Sequence, residues 1–541
     1  MKTKIYIVAS MIACCGLCSC NDLIDIYPVE NNVADKFYSS EFEITQAVMG
    51  VYARLGRNGG SQDFPTIYYF MASEGRSDNL YYAALANAQR DQVDLRNFAV
   101  TDVTGTNEDI YARLYQIIAD ANMLLERSPE HYVRYRAEAS FLRALAYFEL
   151  VRAYGPQPVV DRSVLNEDAK KMDRQPIEDI YKLIISDLEY AGNNLEAFYT
   201  GEEAGRVGSV AAKCLLGEVY VTMAGYPMND RSAYQKAETT LEPIMDQAKT
   251  RFAPDYSYIF DVNKENTYDL FSVQFASGNQ GLGSSLAGYV TEGSGGVMIP
   301  EWFYSGYHLQ GQDFRVDTLL VNEMKKLGDK RLETSVTEGY WDTTEHGFTP
   351  EDSAKHYKER CMMIKYLVKD NTNKTIKAWN DYPLNFPILR PADAYLLYAE
   401  ACLETGNLDE GKKYLNAIQK RAEAPETELT TQTLRDEKQY ELWFETCRFH
   451  DIVRWGIAKE CQDAVVDQVP QLYDDFFIQG TPYYGKEHHL RAELTHPLSV
   501  DQNLPASSYG FVKGKHEYFP FPKDVIDLNK ELHQLNGWAN N

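Results

Sequence analysis

Apolar side chains recur three and four positions apart along most of this chain, a spacing that places them on one face of an α-helix. The clearest stretches lie at 43–55, 109–127, 133–154, 177–193, 210–224, 233–248, 392–405, 408–422 and 434–458. Some ends are marked, since Gly155-Pro156 closes one stretch and Pro176 opens the next. The pattern predicts a mostly α-helical protein.

Two of the predicted helix pairs resemble tetratricopeptide units, in which small residues let two helices approach and large ones fill the space opposite. In the later pair these positions hold Tyr395, Tyr398, Ala399, Gly406, Leu408, Gly411 and Leu415. In the earlier pair they hold Leu216, Gly217, Tyr220, Tyr234, Ala237 and Leu241. Ordinary helical hairpins are the alternative. Both interpretations predict stacked helix pairs, over about 109–248 and 390–459.

Two regions interrupt the helical pattern, at about 56–106 and 252–381. The second contains a Gly/Ser-rich stretch at 278–296, with aromatic residues clustered just after it. Loops of this length in a compact protein are usually functional or disordered, and aromatic content argues against disorder. We therefore expect these regions to form the ligand face.

The acidic composition narrows the range of partners. The 541 residues carry a formal net charge of −25, spread along the chain, which disfavours nucleic acid and anionic membrane surfaces. Aromatic residues make up 13% of the chain, with 39 tyrosines, and tyrosine rings suit wet surfaces that stack on polyhydroxylated ligands.

The cysteines after position 20 are widely spaced without a CxxC pair, so we expect buried thiols rather than a disulfide framework.

The first residues have the features of a bacterial lipoprotein signal. Lys2 and Lys4 precede an apolar run at 5–15 that is too short to span a bilayer. Small residues then lead to Cys20. We expect residues 1–19 to be removed and Cys20 to be acylated, with lipid as the only membrane attachment. An ordinary secretory signal is the alternative.

Clustered aromatic residues are the first candidates for ligand contact. Trp302, Phe303, Tyr304 and Tyr307 follow the glycine-rich stretch, and Tyr340 with Trp341 forms a second cluster. An aromatic face stacks on the C–H face of a sugar ring without a charge, while polar residues at the rim can bind its hydroxyls. The alternation of Trp302 and Tyr304 is also typical of a half-buried strand.

Catalytic and metal-binding patterns are missing from the sequence. No HExxH, GxSxG, Walker or GxGxxG pattern occurs in its proper context. The pair His488-His489 has no further ligands at metal spacing, so a solvated loop is the better interpretation. We expect no enzyme activity, no cofactor and no metal site.

Several ordered motifs resemble the SusD/RagB family of outer-membrane nutrient-binding lipoproteins. Residues 143–155 with 158–160 resemble its helix that ends on a Tyr-Gly turn, and 389–401 is similar to its Leu-Arg-x-Ala-Asp-x-Tyr block. Residues 437–456 match the segment that ends in an Arg-Trp pair, and 518–522 with 526–529 resemble the closing motif. The segment at 20–23 with Pro28 fits the start. From the residues alone, Glu441, Glu445, Arg448 and Asp451 are spaced to pair along one helix.

The resemblance implies a mostly helical single domain over 20–541, with tetratricopeptide-like helix pairs and long irregular aromatic loops as the ligand face. Such a protein sits at the outer membrane, facing outward, on a TonB-dependent transporter of the SusC type. It delivers glycan, or in some members peptide, to that transporter. The binding loops correspond by position to 56–106 and 278–341 here.

A second candidate group follows from the resemblance. The Ser77-Asp78 step is similar to a Ser/Thr-Asp step of the family, in a region that contributes to the glycan site. The candidates there are Arg76, Asp78, Asn79, Tyr81 and Tyr82. Asp78 could instead cap or brace the loop.

Three functions remain open from the sequence. Glycan capture predicts an exposed aromatic arc, peptide import predicts an enclosed polar cavity, and an adhesion protein predicts contacts on the concave repeat surface. The aromatic loops favour glycan capture.

Overall fold

A computed structural model describes residues 37–56, 62–82, 90–96, 98–164, 166–290, 314–316, 318–338, 340–342, 347–349, 361–368, 376–445, 447–464, 510–535 and 537–538. The helices are α1 Glu41–Leu55, α2 Arg90–Arg96, α3 Gly105–Arg127, α4 Val133–Tyr154, α5 Asn166–Ala169, α6 Ile177–Asn194, α7 Ser209–Ala224, α8 Ala233–Leu241, α9 Met245–Thr250, α10 Leu286–Val290, α11 Thr318–Leu327, α12 Leu332–Ser335, α13 Pro391–Thr405, α14 Leu408–Arg421, α15 Thr431–Glu441, α16 Arg448–Arg454 and α17 Lys523–Leu528. The strands are β1 Leu80–Tyr82, β2 Phe271–Val273, β3 Phe314–Val316, β4 Val336–Glu338, β5 Tyr340–Asp342, β6 Gly347–Thr349, β7 Cys361–Met363 and β8 Phe386–Leu389.

The long helices form one continuous stack. Helix α3 packs on α4, α4 on α6, α6 on α7 and α7 on α8. Helix α8 then packs on α13, and α13 on α14, so the two predicted repeat regions belong to the same scaffold. The mostly helical, tetratricopeptide-like architecture predicted from the periodicity is confirmed.

Two glycines allow the close approach within the helix pairs. A side chain at Gly217 of α7 would collide with Leu241 of α8, whose Cδ2 would lie 2.5 Å from its Cβ. Gly411 of α14 is similarly covered, with Leu429 Cδ2 at 2.7 Å and Cys402 Cβ at 2.8 Å from a Cβ placed there. A Cβ at such a distance needs a shift of the neighbouring chain, which explains the small residues of the sequence pattern.

The helix predicted at 233–248 is interrupted. Helix α8 ends at Leu241, the 3-10 turn Glu242–Ile244 follows, and α9 begins at Met245. Pro243 lies in that turn, where its missing N–H and its ring prevent a continuous α-helix. The periodicity located the segment correctly but not the break.

The helix predicted at 434–458 is also wrong as one element, because α15 and α16 are separated by a buried turn. Phe444 in that turn has φ of +67°, a conformation that no α-helix contains. The backbone groups released there are bound by other segments: the Trp443 carbonyl accepts from Lys365 at 2.5 Å and the Phe444 carbonyl from the Tyr366 hydroxyl at 2.9 Å. These contacts replace the lost helical hydrogen bonds.

Part of the region predicted as a loop at 56–106 is a core element. Residues Pro65–Ser73 form a π-helix in which all nine side chains are buried. The hydroxyls of Tyr68 and Tyr69 donate to the Glu149 carboxylate of α4 at 2.8 and 3.1 Å. Apolar and aromatic side chains predominate around this segment, and its Thr66 hydroxyl donates to Asp63, so no side of it needs to face solvent. Part of the second region, strand β2, likewise pairs with β8 inside the core.

Candidate ligand-binding surface

A short antiparallel sheet joins the two irregular regions. Its pairs are Leu80 with Val316, Tyr81 with Arg315 and Tyr82 with Phe314. Strand β7 lies close to β3 and pairs in turn with β4. Strand β1, which follows Asp78, and strand β3 of the second region are therefore neighbours in space.

Strands β5 and β6 form a hairpin directly after β4. Tyr340 lies opposite Thr349, and Trp341 lies opposite Phe348. Tyr340 and Trp341 therefore lie in a strand, whereas the strand alternative was given for Trp302 and Tyr304 and stays a prediction. Trp302, Phe303, Tyr304 and Tyr307 lie outside the described residues, and their contact with ligand stays a prediction. Cys20 also lies outside them.

Arg76, four residues before β1, is an interior side chain with 3% of its surface exposed. Its guanidinium carbon lies 4.2 Å from the ring centre of Phe449 and 4.1 Å from that of Phe519. Nη2 donates to the His516 carbonyl at 2.6 Å. Burial lowers the pKa of Arg76 to about 9. These contacts tie the segment before β1 to α16 and to the C-terminal motif.

Asp78 and Asn79 are also held by protein groups. Arg448 of α16 donates to both Asp78 carboxylate oxygens, at 2.7 and 2.6 Å. Burial raises the pKa of Asp78, but the Arg448 guanidinium outweighs it and holds the pKa below its usual range. Asn79 is fully buried and accepts a hydrogen bond from Gln439 at 2.7 Å. This geometry is that of the bracing alternative, while direct ligand contact by Arg76, Asp78 or Asn79 stays a prediction.

Glu74 completes the support beneath β1. Its Oε1 accepts from the Asn79 amide at 2.7 Å and from the Phe444 N–H at 3.0 Å. The side chain is fully buried, and this burial raises its pKa to about 7. Glu74 and Gln439 were not predicted as supporting residues, and Arg448 was predicted to pair along its own helix. The only signal for Gln439 was its position in the 437–456 block.

Buried ion pairs extend this support into the scaffold. The Glu441 carboxylate accepts from Arg390 at 2.8 Å, from Arg331 at 3.0 Å and from Arg421. Burial raises the pKa of Glu441, but the three guanidiniums together outweigh burial and hold that pKa well below its usual range. Glu445 accepts from Arg390 at 2.5 Å and from Lys365.

The spacing of Glu441, Glu445, Arg448 and Asp451 therefore does not bring them together on one helix, contrary to the sequence interpretation. Each has partners from elsewhere, and Asp451 pairs with Lys438 at 2.9 Å and with Arg454 at 2.7 Å. The turn at Phe444 changes the direction of the chain between them. Each of the four has its own ion-pair partners, except that Glu441 and Glu445 share Arg390.

Within the described ranges, no group of three or more His, Cys, Asp or Glu side chains could hold a metal ion. The helices described for this chain include none that is long and apolar enough to cross a membrane. The candidate surface consists of short paired strands from the two irregular regions, held to the helices by ion pairs.

The fold and this surface define a helical-repeat protein that presents a loop-built face. The chain belongs to the SusD family, whose model matches residues 245–538. A second family model, described as starch-binding associating with outer membrane, matches residues 29–221. A SusD-like protein of Bacteroides ovatus is 26% identical over 490 residues, covering 84% of this chain and 83% of that protein.

Solved structures show the same fold. A SusD homolog from Bacteroides thetaiotaomicron superposes with a TM-score of 0.73 at 22% identity, covering 93% of this chain and 98% of the other. A laminarin binding SusD-like protein gives a TM-score of 0.70 at 22% identity, covering 92% and 100%. The family indicated by the sequence motifs is confirmed by the two family models.

Proposed function

We propose that this protein captures an oligo- or polysaccharide at the cell surface and passes it to a TonB-dependent, SusC-like transporter, without catalysing a reaction. The observation that supports this most directly is the pairing of β1 with β3, because it joins a strand of the first irregular region to a strand of the second. The candidate contacts are the aromatic residues Trp302, Tyr304, Tyr307, Tyr340 and Trp341.

The chemistry of the two regions suits a glycan. Aromatic rings bury large areas against C–H faces, and tyrosine hydroxyls can bind sugar hydroxyls at the rim. Tyr81 and Tyr82 of β1 are further candidates for contact with the glycan. The relative whose name states that it binds laminarin supports the same ligand class.

Cell-surface attachment is the second part of the proposal. The sequence before Cys20 has the form of a lipoprotein signal, and the second family model carries an outer-membrane description. Lipid at Cys20 would hold the protein at the outer membrane, facing outward, next to its transporter. More than one acyl chain gives a stable anchor where a single chain does not.

A double replacement tests the binding face. Wild-type protein and the variant Trp302→Ala/Trp341→Ala are titrated with laminarin, starch and xyloglucan oligosaccharides by calorimetry. We expect at least a tenfold loss of affinity for whichever glycan binds, with an unchanged circular dichroism spectrum. Phe42→Ala is the matched control, because Phe42 is 70% exposed outside the loop regions.

Three outcomes would each overturn a part of the proposal. If the folded double variant binds its glycan as tightly as wild type, the binding face lies elsewhere. If a peptide library binds wild type and no glycan does, the peptide-importing alternative replaces it. New reducing ends in the glycan after incubation with the protein would contradict the absence of catalysis.

A further inference from the structure

Helix α1 exposes a face that carries no charged side chain. Phe42 is 70% exposed and Met49 is 46% exposed, and Gln46, Gly50 and Ala53 are exposed beside them. Spacings of four and seven residues place these positions on one side of the helix. The opposite side packs into the core. Contiguous exposed apolar surface is typical of interaction sites, so this face is a candidate for one.

A cleft of about 270 Å³ continues this face at the C-terminal half of α1. Its walls come from three parts of the chain: α1 with Met49 and Ala53, residues 204–206, and a third part with the apolar side chains of Phe271, Val273, Phe275 and Leu282. Leu282 is 59% exposed at the rim. The helix face and the cleft together form one surface, which we call the α1 groove.

The polar groups that line the α1 groove already have partners. The Tyr52 hydroxyl donates to Glu138 at 2.9 Å, and Arg206 donates to the same carboxylate at 2.8 Å. The Gln274 carbonyl oxygen accepts from Asn385 at 2.9 Å, and its amide donates to the Ser272 carbonyl at 3.0 Å. A glycan would find few free hydrogen-bonding groups here, whereas apolar side chains would fit.

The chain that precedes the described residues has the matching composition. Leu23, Ile24, Ile26, Tyr27 and Val29 fall within seven consecutive positions. Pro28 biases the residue before it towards an extended conformation. Residues 27–37 can span roughly 33 Å when extended, and the seven residues between the exposed α1 side chains rise only about 10 Å. The segment therefore reaches the groove from the start of α1.

We propose that residues 23–29 lie in the α1 groove and insert apolar side chains into its cleft. The segment would then be fixed against the folded body, so that only a few residues separate this body from position 20. A lipid at Cys20 would accordingly hold the protein close to the membrane. The proposal does not depend on glycan binding.

Photo-crosslinking of the mature full-length protein tests it. With Tyr27→p-benzoylphenylalanine, we expect irradiation to join position 27 to Met49, Ala53 or Leu282 of the same molecule, identified by peptide mass spectrometry. Met49→Asp/Leu282→Asp should reduce the yield at least tenfold. Leu408→Asp, at a residue that is 48% exposed on another helix, should leave it unchanged. Crosslinks to a different surface, or a yield that the double variant does not alter, would refute the proposal.

The size of the crosslinked product separates other occupants of the groove. A covalent dimer would show a second copy there, and a crosslink to an outer-membrane protein would show a partner; either would overturn the proposal.

Oxidation gives an independent measure of whether the groove is occupied. Replacing residues 23–29 by Gly-Ser repeats should speed peroxide oxidation of Met49 at least threefold, while Met228, which packs against the core, keeps its rate. An unchanged rate at Met49 would contradict occupation of the groove.

Discussion

Asp78 and Arg448 form a two-pronged ion pair across 370 residues of sequence, with both carboxylate oxygens bound at 2.7 and 2.6 Å. Their side chains are only 12% and 10% exposed. Asp78 stands two residues before β1, and Arg448 is the first residue of α16. The pair therefore fixes the loop strand of the candidate surface to the scaffold.

Breaking this pair should destabilise the protein strongly. Arg448→Met leaves the Asp78 carboxylate buried without its cation, and such a loss typically costs about 3–5 kcal/mol. Urea unfolding followed by circular dichroism measures it. The control is Arg162→Met, because Arg162 and its partner Asp161 are 75% and 57% exposed and the loss should stay below about 1 kcal/mol.

The double variant Asp78→Asn/Arg448→Met removes both charges and should lose less stability than the two single changes summed. Strict additivity would contradict a direct interaction between the two side chains.

Glu74 should make stability fall with rising pH. Its folded pKa of about 7 lies above the usual value of 4.5, so the folded protein retains a proton that the unfolded chain releases. This contribution is complete below about pH 4.5 and is lost as the pH rises through about 7. Glu74→Gln keeps an acceptor for Asn79 and Phe444 but cannot titrate. The variant should therefore lack the decrease in unfolding free energy that Glu74 gives wild type between pH 4 and pH 8, which is on the order of 3 kcal/mol.

Unfolding free energies measured from pH 4 to pH 8 decide this point. Glu202→Gln, at an exposed turn, is the control and should leave the profile of wild type unchanged. A Glu74→Gln profile parallel to that of wild type would show that Glu74 does not titrate in this range.

Stability should reside in the helix pairs rather than in the aromatic loops. Leu415 is fully buried in α14, so Leu415→Ala should cost about 2–5 kcal/mol, with similar losses at Leu397 and Tyr395. Trp302→Ala should cost less than about 1 kcal/mol if that ring faces ligand. Melting temperatures compare the variants. Equal decreases in melting temperature for Leu415→Ala and Trp302→Ala would contradict this difference between helix pairs and loops.

Affinity should be weak and should rise with glycan length. Each ring contributes a modest stacking contact, so we expect dissociation constants between about 1 μM and 1 mM. A longer oligosaccharide engages more rings at once and gains affinity without new types of contact. Calorimetry with a laminarin oligosaccharide series would test the trend, and a length-independent constant would indicate a single closed subsite.

Loss of the anchor cysteine should release the protein. Cys20→Ala removes the only predicted acylation site, and the described helices include none that could span a membrane. After expression in the native host, cell fractionation should place the variant in the soluble fraction, with wild type in the outer membrane. Retention of the variant in the membrane fraction would show another attachment.

Helix periodicity predicted the scaffold well because amphipathic helices carry their burial pattern locally. Helix α4 spans the predicted 133–154, where a Tyr-Gly turn marks its end. The break at Phe444 was not predictable in this way, because Lys365 and Tyr366 from a distant segment bind the released carbonyls. The π-helix Pro65–Ser73 was missed because a fully buried segment has no polar face to create a period.

The candidate site was predictable only as two separate regions. Aromatic clustering pointed to both, but the pairing of Tyr81 with Arg315 joins positions that no local pattern relates. The sequence left Asp78 between ligand contact and bracing. Its partner Arg448 lies in a block whose side chains were expected to pair among themselves, so the bracing contact could not be assigned.

The ion pairs around α15 also affect how the protein unfolds. Asp329, Glu437, Glu441 and Glu445 are buried with Arg331, Arg390, Arg421 and Lys365, four anions with four cations. If either segment that carries Arg331 or Lys365 detached alone, it would leave carboxylates in the interior without their cations, at a cost of several kcal/mol. Local opening of these segments is therefore disfavoured, and they should exchange amide hydrogens and resist proteases together with the helix stack, as one cooperative unit.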